Sequence, residues 1–211
     1  VFDFDGTLLD TLRDLADSVN AVLGRSGFPQ HSLDEYRHFV GEGIEELARR
    51  VLPEGHRDKA AITHTLAEVR KEYRQRWPDH TRPYDGIPEL LDSLAARGIK
   101  MAIVTNKPDD STRLMAARLL PRWSFDAIMA ATADRPRKPD PQGALEAARS
   151  MGLPPEAILY LGDSDIDMKT AVAAGMYPVG ALWGFRTADE LRRNGAKALI
   201  TDPLELLDLL R

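Results

Sequence analysis

Two aspartates, Asp3 and Asp5, stand two positions apart where a short apolar stretch ends near the start of the chain. Side chains at positions i and i+2 of a β-strand point to the same side, so both carboxylates can reach one small volume beyond the strand. Gly6 permits a sharp turn here, and the Thr7 hydroxyl can satisfy backbone groups that the turn frees. Two like charges so close are costly unless a cation or a catalytic role compensates for them, although Asp beside Gly is also ordinary turn chemistry.

Polar residues also follow two later apolar runs, and a lysine lies in a loop between those runs. Thr105 and Asn106 follow the first run, and Asp163 and Asp167 follow the second. In open parallel sheets the ligand crevice lies beyond the carboxyl ends of the strands. Four aspartates gathered there would need a divalent cation, with Lys138 offsetting part of the remaining charge. An all-oxygen donor set without His or Cys suits Mg²⁺.

The absence of cysteine and the position of the histidines restrict the chemistry. The chain has no Cys, and its five His all fall between positions 31 and 80. Thiol nucleophiles, disulfides and Cys-ligated zinc are therefore excluded, and so are histidine-based triads in the segments that carry the acidic motifs. Asp3 is the candidate nucleophile, because carboxylates can form aspartyl-phosphates. Thr105 and Lys138 would then hold the transferring phosphoryl oxygens.

Composition indicates a globular protein with a sizeable hydrophobic core. Of the 211 residues 43% are hydrophobic, and the net charge of −5 comes from intermixed acids and bases, which argues against nucleic-acid binding. The sequence contains no apolar run long enough for a membrane span and no visible signal peptide, and cytoplasm is the default expectation. We also expect a monomer or homodimer. Val1 is not an initiator methionine, and we expect the chain to begin inside its first strand.

Hydrophobic spacing divides the chain into two parts. From residue 11 to about residue 77 the spacing is helical and no strand is indicated, whereas after the linker at 83–86 helices and strands alternate. Alternation of this kind predicts βαβ units and a parallel sheet. We therefore expect an α/β fold, a Rossmann-like doubly wound parallel sheet core formed by residues 1–10 and 82–211, with an inserted all-helical cap formed by residues 11–81.

Local signals place several element boundaries. Capping boxes are predicted at Ser32 and Thr187, and Asp140 is predicted to cap a helix over 141–151. An amphipathic helix is predicted after Asp202. Strands are predicted at 101–105, 125–130, 157–161, 178–182 and 198–200.

The order of the motifs, DxDGT, then T-N, K-P and GDxxxD, resembles that of the haloacid dehalogenase-like phosphohydrolases with a helical cap. Within that family the chain looks most like the phosphoglycolate phosphatases. The resemblance implies that Asp3 attacks phosphorus and binds Mg²⁺. It also implies that Asp5 protonates the leaving group, then activates water, and binds the metal through its backbone carbonyl.

The resemblance implies roles for the other motif residues as well. Asp163 would be a direct metal ligand, and Asp167 would steady metal-bound waters or Lys138. Thr105 and Asn106 would bind phosphate, and Lys138 would stabilise the charge on Asp3 and on the phosphoryl group.

Several interpretations of the function remain open within this resemblance. Dehalogenases and phosphonatases of the family lack an aspartate at position 5, so Asp5 argues against both. A phosphomutase of the β-phosphoglucomutase type, a pyrophosphate or nucleotide phosphatase, and a non-catalytic binding module are alternatives to a phosphoglycolate phosphatase. Gly41 and Gly43 flank a candidate substrate-selecting loop, which could equally be a plain turn between helices.

Overall fold

The computed structural model describes residues 1–210, which divide into two compact units. One unit contains Val1–Leu9 and the chain from Pro83 onward, and the other contains Asp10–Arg82. At the two points where the chain passes between the units it forms short strands, β1 (Leu9–Asp10) and β2 (Arg82–Pro83), which pair with each other. Among the described residues, no helix combines the length and apolar character that crossing a bilayer requires.

The unit Asp10–Arg82 is built from helices. Its four α-helices and one 3-10 helix are α1 (Leu12–Arg25), α2 (Leu33–Phe39), α3 (Ile44–Val51), the 3-10 helix Glu54–His56 and α4 (Lys59–Arg76). α1 packs against α4, burying Val19 and Leu23 on its apolar face. The capping box predicted at Ser32 is confirmed, since its hydroxyl accepts from the Glu35 N–H while the Glu35 carboxylate accepts from the Ser32 N–H.

The other unit alternates strands and helices. In chain order it contains α5 (Ile87–Ala96), β3 (Ala102–Pro108), α6 (Asp109–Leu119), β4 (Ala127–Ala131), α7 (Gln142–Met151), the 3-10 helix Pro155–Ala157, β5 (Leu159–Gly162), α8 (Asp165–Ala173), β6 (Tyr177–Ala181), α9 (Ala188–Arg193), β7 (Ala198–Ile200) and the 3-10 helix Pro203–Leu209. The alanines on one face of α7 (Ala144, Ala147 and Ala148) are buried in the same cluster as Ala102 and Val104 of β3, which lets the helix pack closely on the sheet.

The strands form a parallel sheet with the amino-terminal segment at its centre. β3 pairs with β4 on one side, and β5, β6 and β7 pair in that order on the other. Phe2 bridges both sides through parallel contacts with Ile103 and Leu161. The chain therefore moves outward from Phe2 in one direction, then returns and moves outward in the other. This reversal is the doubly wound α/β fold predicted from the sequence, which is confirmed, and it opens a crevice at the carboxyl ends of the central strands.

Several element boundaries differ from the prediction, including the following three. The helix predicted over 141–151 begins at Gln142, and its N-cap is Pro141 rather than Asp140. Asp140 lies one residue before the N-cap, and its carboxylate accepts the Gln142 N–H at 2.8 Å. β5 begins only at Leu159, because the preceding residues form a 3-10 turn. The predicted final amphipathic helix is a 3-10 helix of seven residues, a form that short terminal segments readily adopt.

Candidate active site

A buried lysine lies between two buried aspartates at the carboxyl edge of the sheet. Lys138 Nζ is 2.7 Å from Oδ1 of Asp3 and 2.7 Å from Oδ1 of Asp167. Asp3 follows the central segment, Asp167 lies in the first turn of α8, and Lys138 comes from the loop before α7. Burial alone would lower the pKa of the Lys138 ammonium, but the charges of Asp167 and Asp3 outweigh it and raise this pKa well above its usual value.

Asn106 fixes the backbone of Lys138. Its side-chain Oδ1 accepts the Lys138 N–H at 2.8 Å, and its Nδ2 donates to the Lys138 carbonyl oxygen at 3.1 Å. Asn106 is itself buried at the end of β3. The sequence suggested only a phosphate contact for Asn106; that contact stays a prediction, and the amide group is engaged with Lys138.

Asp167 is held on both carboxylate oxygens. Oδ1 accepts from Lys138 and is 3.4 Å from the Tyr160 hydroxyl, while Oδ2 accepts from the N–H and hydroxyl of Ser164 in a capping box of α8. Tyr160 is fully buried, and this burial raises the pKa of its phenol well above the usual value. Sequence reasoning assigned no role to Tyr160, because an aromatic residue in an apolar strand is indistinguishable from ordinary core.

Asp163 is clamped from two directions. Its Oδ1 accepts from the Thr7 hydroxyl at 2.8 Å, and its Oδ2 accepts from the Phe185 N–H at 2.9 Å. A Cβ atom on Gly6 would lie 2.4 Å from Asp163 Oδ2, and one on Gly184 would lie 2.5 Å from the same oxygen. Both positions therefore require glycine. We expected the Thr7 hydroxyl to bind backbone freed by the turn, and it binds the Asp163 carboxylate instead.

The three buried aspartates of the site could hold a metal ion. Asp3, Asp163 and Asp167 are buried, and each offers a carboxylate oxygen within 4.8 Å of those of the other two. The single ammonium of Lys138 leaves two of their negative charges without compensation. Burial and repulsion by Asp167 raise the pKa of Asp3, and the same two causes raise the pKa of Asp163 to about 7. A hard divalent cation such as Mg²⁺ fits both the oxygen donors and the missing charge.

Asp5 lies outside this group of three and pairs with a different lysine. Lys107 Nζ is 3.1 Å from Asp5 Oδ1 and 3.3 Å from Oδ2. Thr105, which is buried, accepts the Lys107 N–H on its hydroxyl oxygen at 3.2 Å. Thr105 and Lys107 lie in the part of β3 where its register with β4 shifts. Sequence reasoning gave Lys107 no role.

The candidate substrate-selecting loop belongs to the helical unit. Gly41 and Gly43 both have positive φ, 116° and 94°, conformations that other residues rarely adopt. Between them, the carboxylate of Glu42 accepts from Arg50, whose guanidinium also donates to the carbonyl oxygens of His38 and Phe39 at 3.1 and 3.4 Å. The loop is thus tied to α2 and α3, and its contact with a substrate stays a prediction.

Comparison with known proteins shows the family of this chain. The family model of the haloacid dehalogenase-like hydrolases matches residues 1–181. Phosphoglycolate phosphatase from Thiobacillus denitrificans is 34% identical over 83% of this chain and 78% of its own. Phosphoglycolate phosphatase from Nitrosospira multiformis is 31% identical over 100% of this chain and 94% of its own.

A solved structure of a similar protein has the same fold. A candidate phosphoglycolate phosphatase from Lactobacillus delbrueckii subsp. bulgaricus superposes with a TM-score of 0.93 at 27% identity, covering 99% of this chain and 96% of that one. The chain therefore belongs to the haloacid dehalogenase-like hydrolase family, as its motifs suggested.

Proposed function

We propose that this protein hydrolyses the phosphomonoester 2-phosphoglycolate, with Mg²⁺ as cofactor and an aspartyl-phosphate on Asp3 as intermediate. The chain is a phosphatase, given its family and its relatives. The proposed mechanism is carried by one observation, the buried cluster in which Lys138 bridges Asp3 and Asp167 beside Asp163. The relatives' shared name favours 2-phosphoglycolate as the substrate.

The contacts of Asp3 support different tasks for its two carboxylate oxygens. Oδ1 accepts from the Phe4 N–H and from Lys138, both at 2.7 Å, which fixes the carboxylate plane. Oδ2, the oxygen outside these contacts, is then the attacking atom. As its bond to phosphorus forms, the ester P–O bond breaks and Asp5 gives a proton to the departing oxygen. Asp5 next takes a proton from water, whose oxygen displaces Asp3 from phosphorus.

The other side chains of the cluster position these groups. Lys138 would balance charge on the transferring phosphoryl group, and Asn106 would keep its backbone in place. Mg²⁺ would be held by Asp3, Asp163 and the backbone carbonyl of Asp5. Asp167 would steady Lys138 through its contact with Nζ. When bound, the ion would supply positive charge against the phosphoryl oxygens and the carboxylates.

Substrate profiling tests the proposal. The Mg²⁺-loaded protein is assayed for phosphate release from 2-phosphoglycolate, sugar phosphates, nucleotides and pyrophosphate, and the highest kcat/KM is expected for 2-phosphoglycolate. Asp3→Asn should abolish turnover and the hydroxylamine-labile phosphoprotein trapped by rapid acid quenching, while Asp189→Asn, at an exposed surface position, serves as the matched control. Preference for a nucleotide, pyrophosphate or sugar phosphate would replace the substrate assignment, and mutase activity or no turnover would overturn the hydrolase mechanism.

A further inference from the structure

Lys107 is a buried lysine that the mechanism above does not use. Its side chain is only 8% exposed, and its ammonium lies within 3.3 Å of both carboxylate oxygens of Asp5. An ammonium so far removed from water needs hydrogen-bond acceptors that replace its hydration, and the Asp5 oxygens supply them. The pair is therefore a fixed part of the site, unlike the surface ion pair between Lys169 and Asp165, where the lysine is 48% exposed.

The two lysines of the site divide the aspartates between them. Lys138 binds Asp3 and Asp167, whereas Lys107 binds Asp5. Because Lys107 contacts both oxygens of Asp5, it fixes the direction in which that carboxylate points. The backbone of Lys107 is fixed in turn, since its N–H donates to the Thr105 hydroxyl oxygen at 3.2 Å.

We propose that Lys107 is a positioning residue for the acid–base group, holding Asp5 at the orientation from which it exchanges protons with the leaving group and with water. The inference rests on the proposed function, in which Asp5 transfers both protons. A purely structural role for the pair would predict a loss of stability, with any loss of activity equal for all substrates. A substrate-binding role for Lys107 would predict a raised KM.

Substrates that differ in their leaving group separate these roles. The alkoxide leaving 2-phosphoglycolate needs a proton as the P–O bond breaks, whereas p-nitrophenolate leaves without one. Hydrolysis of the aspartyl-phosphate needs Asp5 as a base in both cases. A misplaced Asp5 therefore slows both steps with 2-phosphoglycolate but only the second step with p-nitrophenyl phosphate.

The test uses Lys107→Met, with Lys169→Met as the matched control. With 2-phosphoglycolate we expect kcat to fall about 10²-fold or more, the scale of acid–base catalysis, while KM changes little. With p-nitrophenyl phosphate we expect a rapid burst of about one nitrophenol per active site followed by slow turnover, as a phosphorylated enzyme accumulates. Lys107→Gln is tested in parallel in case the methionine variant does not fold.

Restoring the ammonium completes the test. Because the chain has no Cys, Lys107→Cys introduces a unique thiol that 2-bromoethylamine converts into a lysine analogue. The variant is alkylated in denaturant and refolded, and the wild type is carried through the same steps. We expect recovery of kcat with 2-phosphoglycolate and loss of the burst.

Three outcomes would overturn the inference. Equal losses with both substrates and no burst would make the pair structural, and a raised KM at unchanged kcat would make Lys107 a binding residue. Failure of the alkylated variant to recover, when the refolded wild type does, would also refute it. A wild type that releases phosphate from neither substrate would instead refute the proposed function, and the inference with it.

Discussion

Lys138 and Asp3 form a buried ion pair with 2.7 Å between Nζ and Oδ1, and this pair sets the electrostatics of the site. Asp167 contacts the same ammonium from the other side. Each carboxylate is stable in its ionised form only while Lys138 or a bound cation is beside it. The charges of Lys138 and Asp3 therefore affect both the stability and the activity of the protein.

Replacing Lys138 with Met tests that coupling. Removing one partner of a buried ion pair is expected to lower the free energy of unfolding of the metal-free protein by about 3–5 kcal/mol. It should also reduce kcat/KM by about 10²–10³-fold, as for loss of one group that stabilises transition-state charge. Urea denaturation and phosphate release measure the two effects. Lys169→Met should change the unfolding free energy by less than about 1 kcal/mol, and an equal effect at both positions would contradict the assignment.

Asn106 is expected to act through Lys138. Asn106→Ala removes both contacts with the Lys138 backbone and leaves buried polar groups unpaired, at a cost of about 1–3 kcal/mol. Asn106→Asp keeps the acceptor for the Lys138 N–H but places a second acceptor against the Lys138 carbonyl oxygen. We therefore expect the aspartate variant to lose at least as much kcat as the alanine variant. A change confined to KM would show that Asn106 contacts the substrate instead.

The sequence predicted the interactions that are local in the chain. The capping boxes at Ser32 and Thr187 were predictable because their partners lie three residues away, and both are present. The doubly wound sheet was predictable because the alternation of strands and helices leaves few topologies. Helix and strand positions followed from hydrophobic spacing to within a few residues.

Contacts between distant parts of the chain were missed. The contact of Thr7 with Asp163 and that of Lys107 with Asp5 depend on strand register and side-chain direction, which spacing along one strand does not give. β3 also extends to Pro108, beyond the predicted end at residue 105, so that Lys107 lies on the strand. Recognising Lys107 required knowing that the strand continues past the apolar run.

Metal binding should depend on pH in a defined direction. Asp163 must be ionised to bind Mg²⁺, and in the metal-free protein burial and Asp167 raise its pKa to about 7. Mg²⁺ must therefore displace a proton from Asp163 below pH 7, which alone lowers the affinity by up to about tenfold for each pH unit below that value. A proton on Asp3, whose pKa is also raised, adds to this fall. Titration calorimetry in buffers of different ionisation enthalpy counts the protons released. Constant affinity between about pH 5.5 and 8 would contradict this prediction.

Gly184 packs against the Asp163 side chain and should therefore control metal affinity without contacting the metal. A Cβ on Gly184 would lie 2.2 Å from the Asp163 Cβ and 2.5 Å from its Oδ2, so Gly184→Ala must push the carboxylate away from the Thr7 hydroxyl and the Phe185 N–H. Displacing a metal ligand or its supports typically weakens metal affinity about 10–100-fold. We expect that loss for Gly184→Ala in calorimetric Mg²⁺ titrations at fixed pH. Gly55→Ala, where a Cβ would meet nothing within 4 Å, is the matched control and should bind Mg²⁺ as the wild type does. Unchanged affinity in the Gly184 variant would show that Asp163 is not a metal ligand.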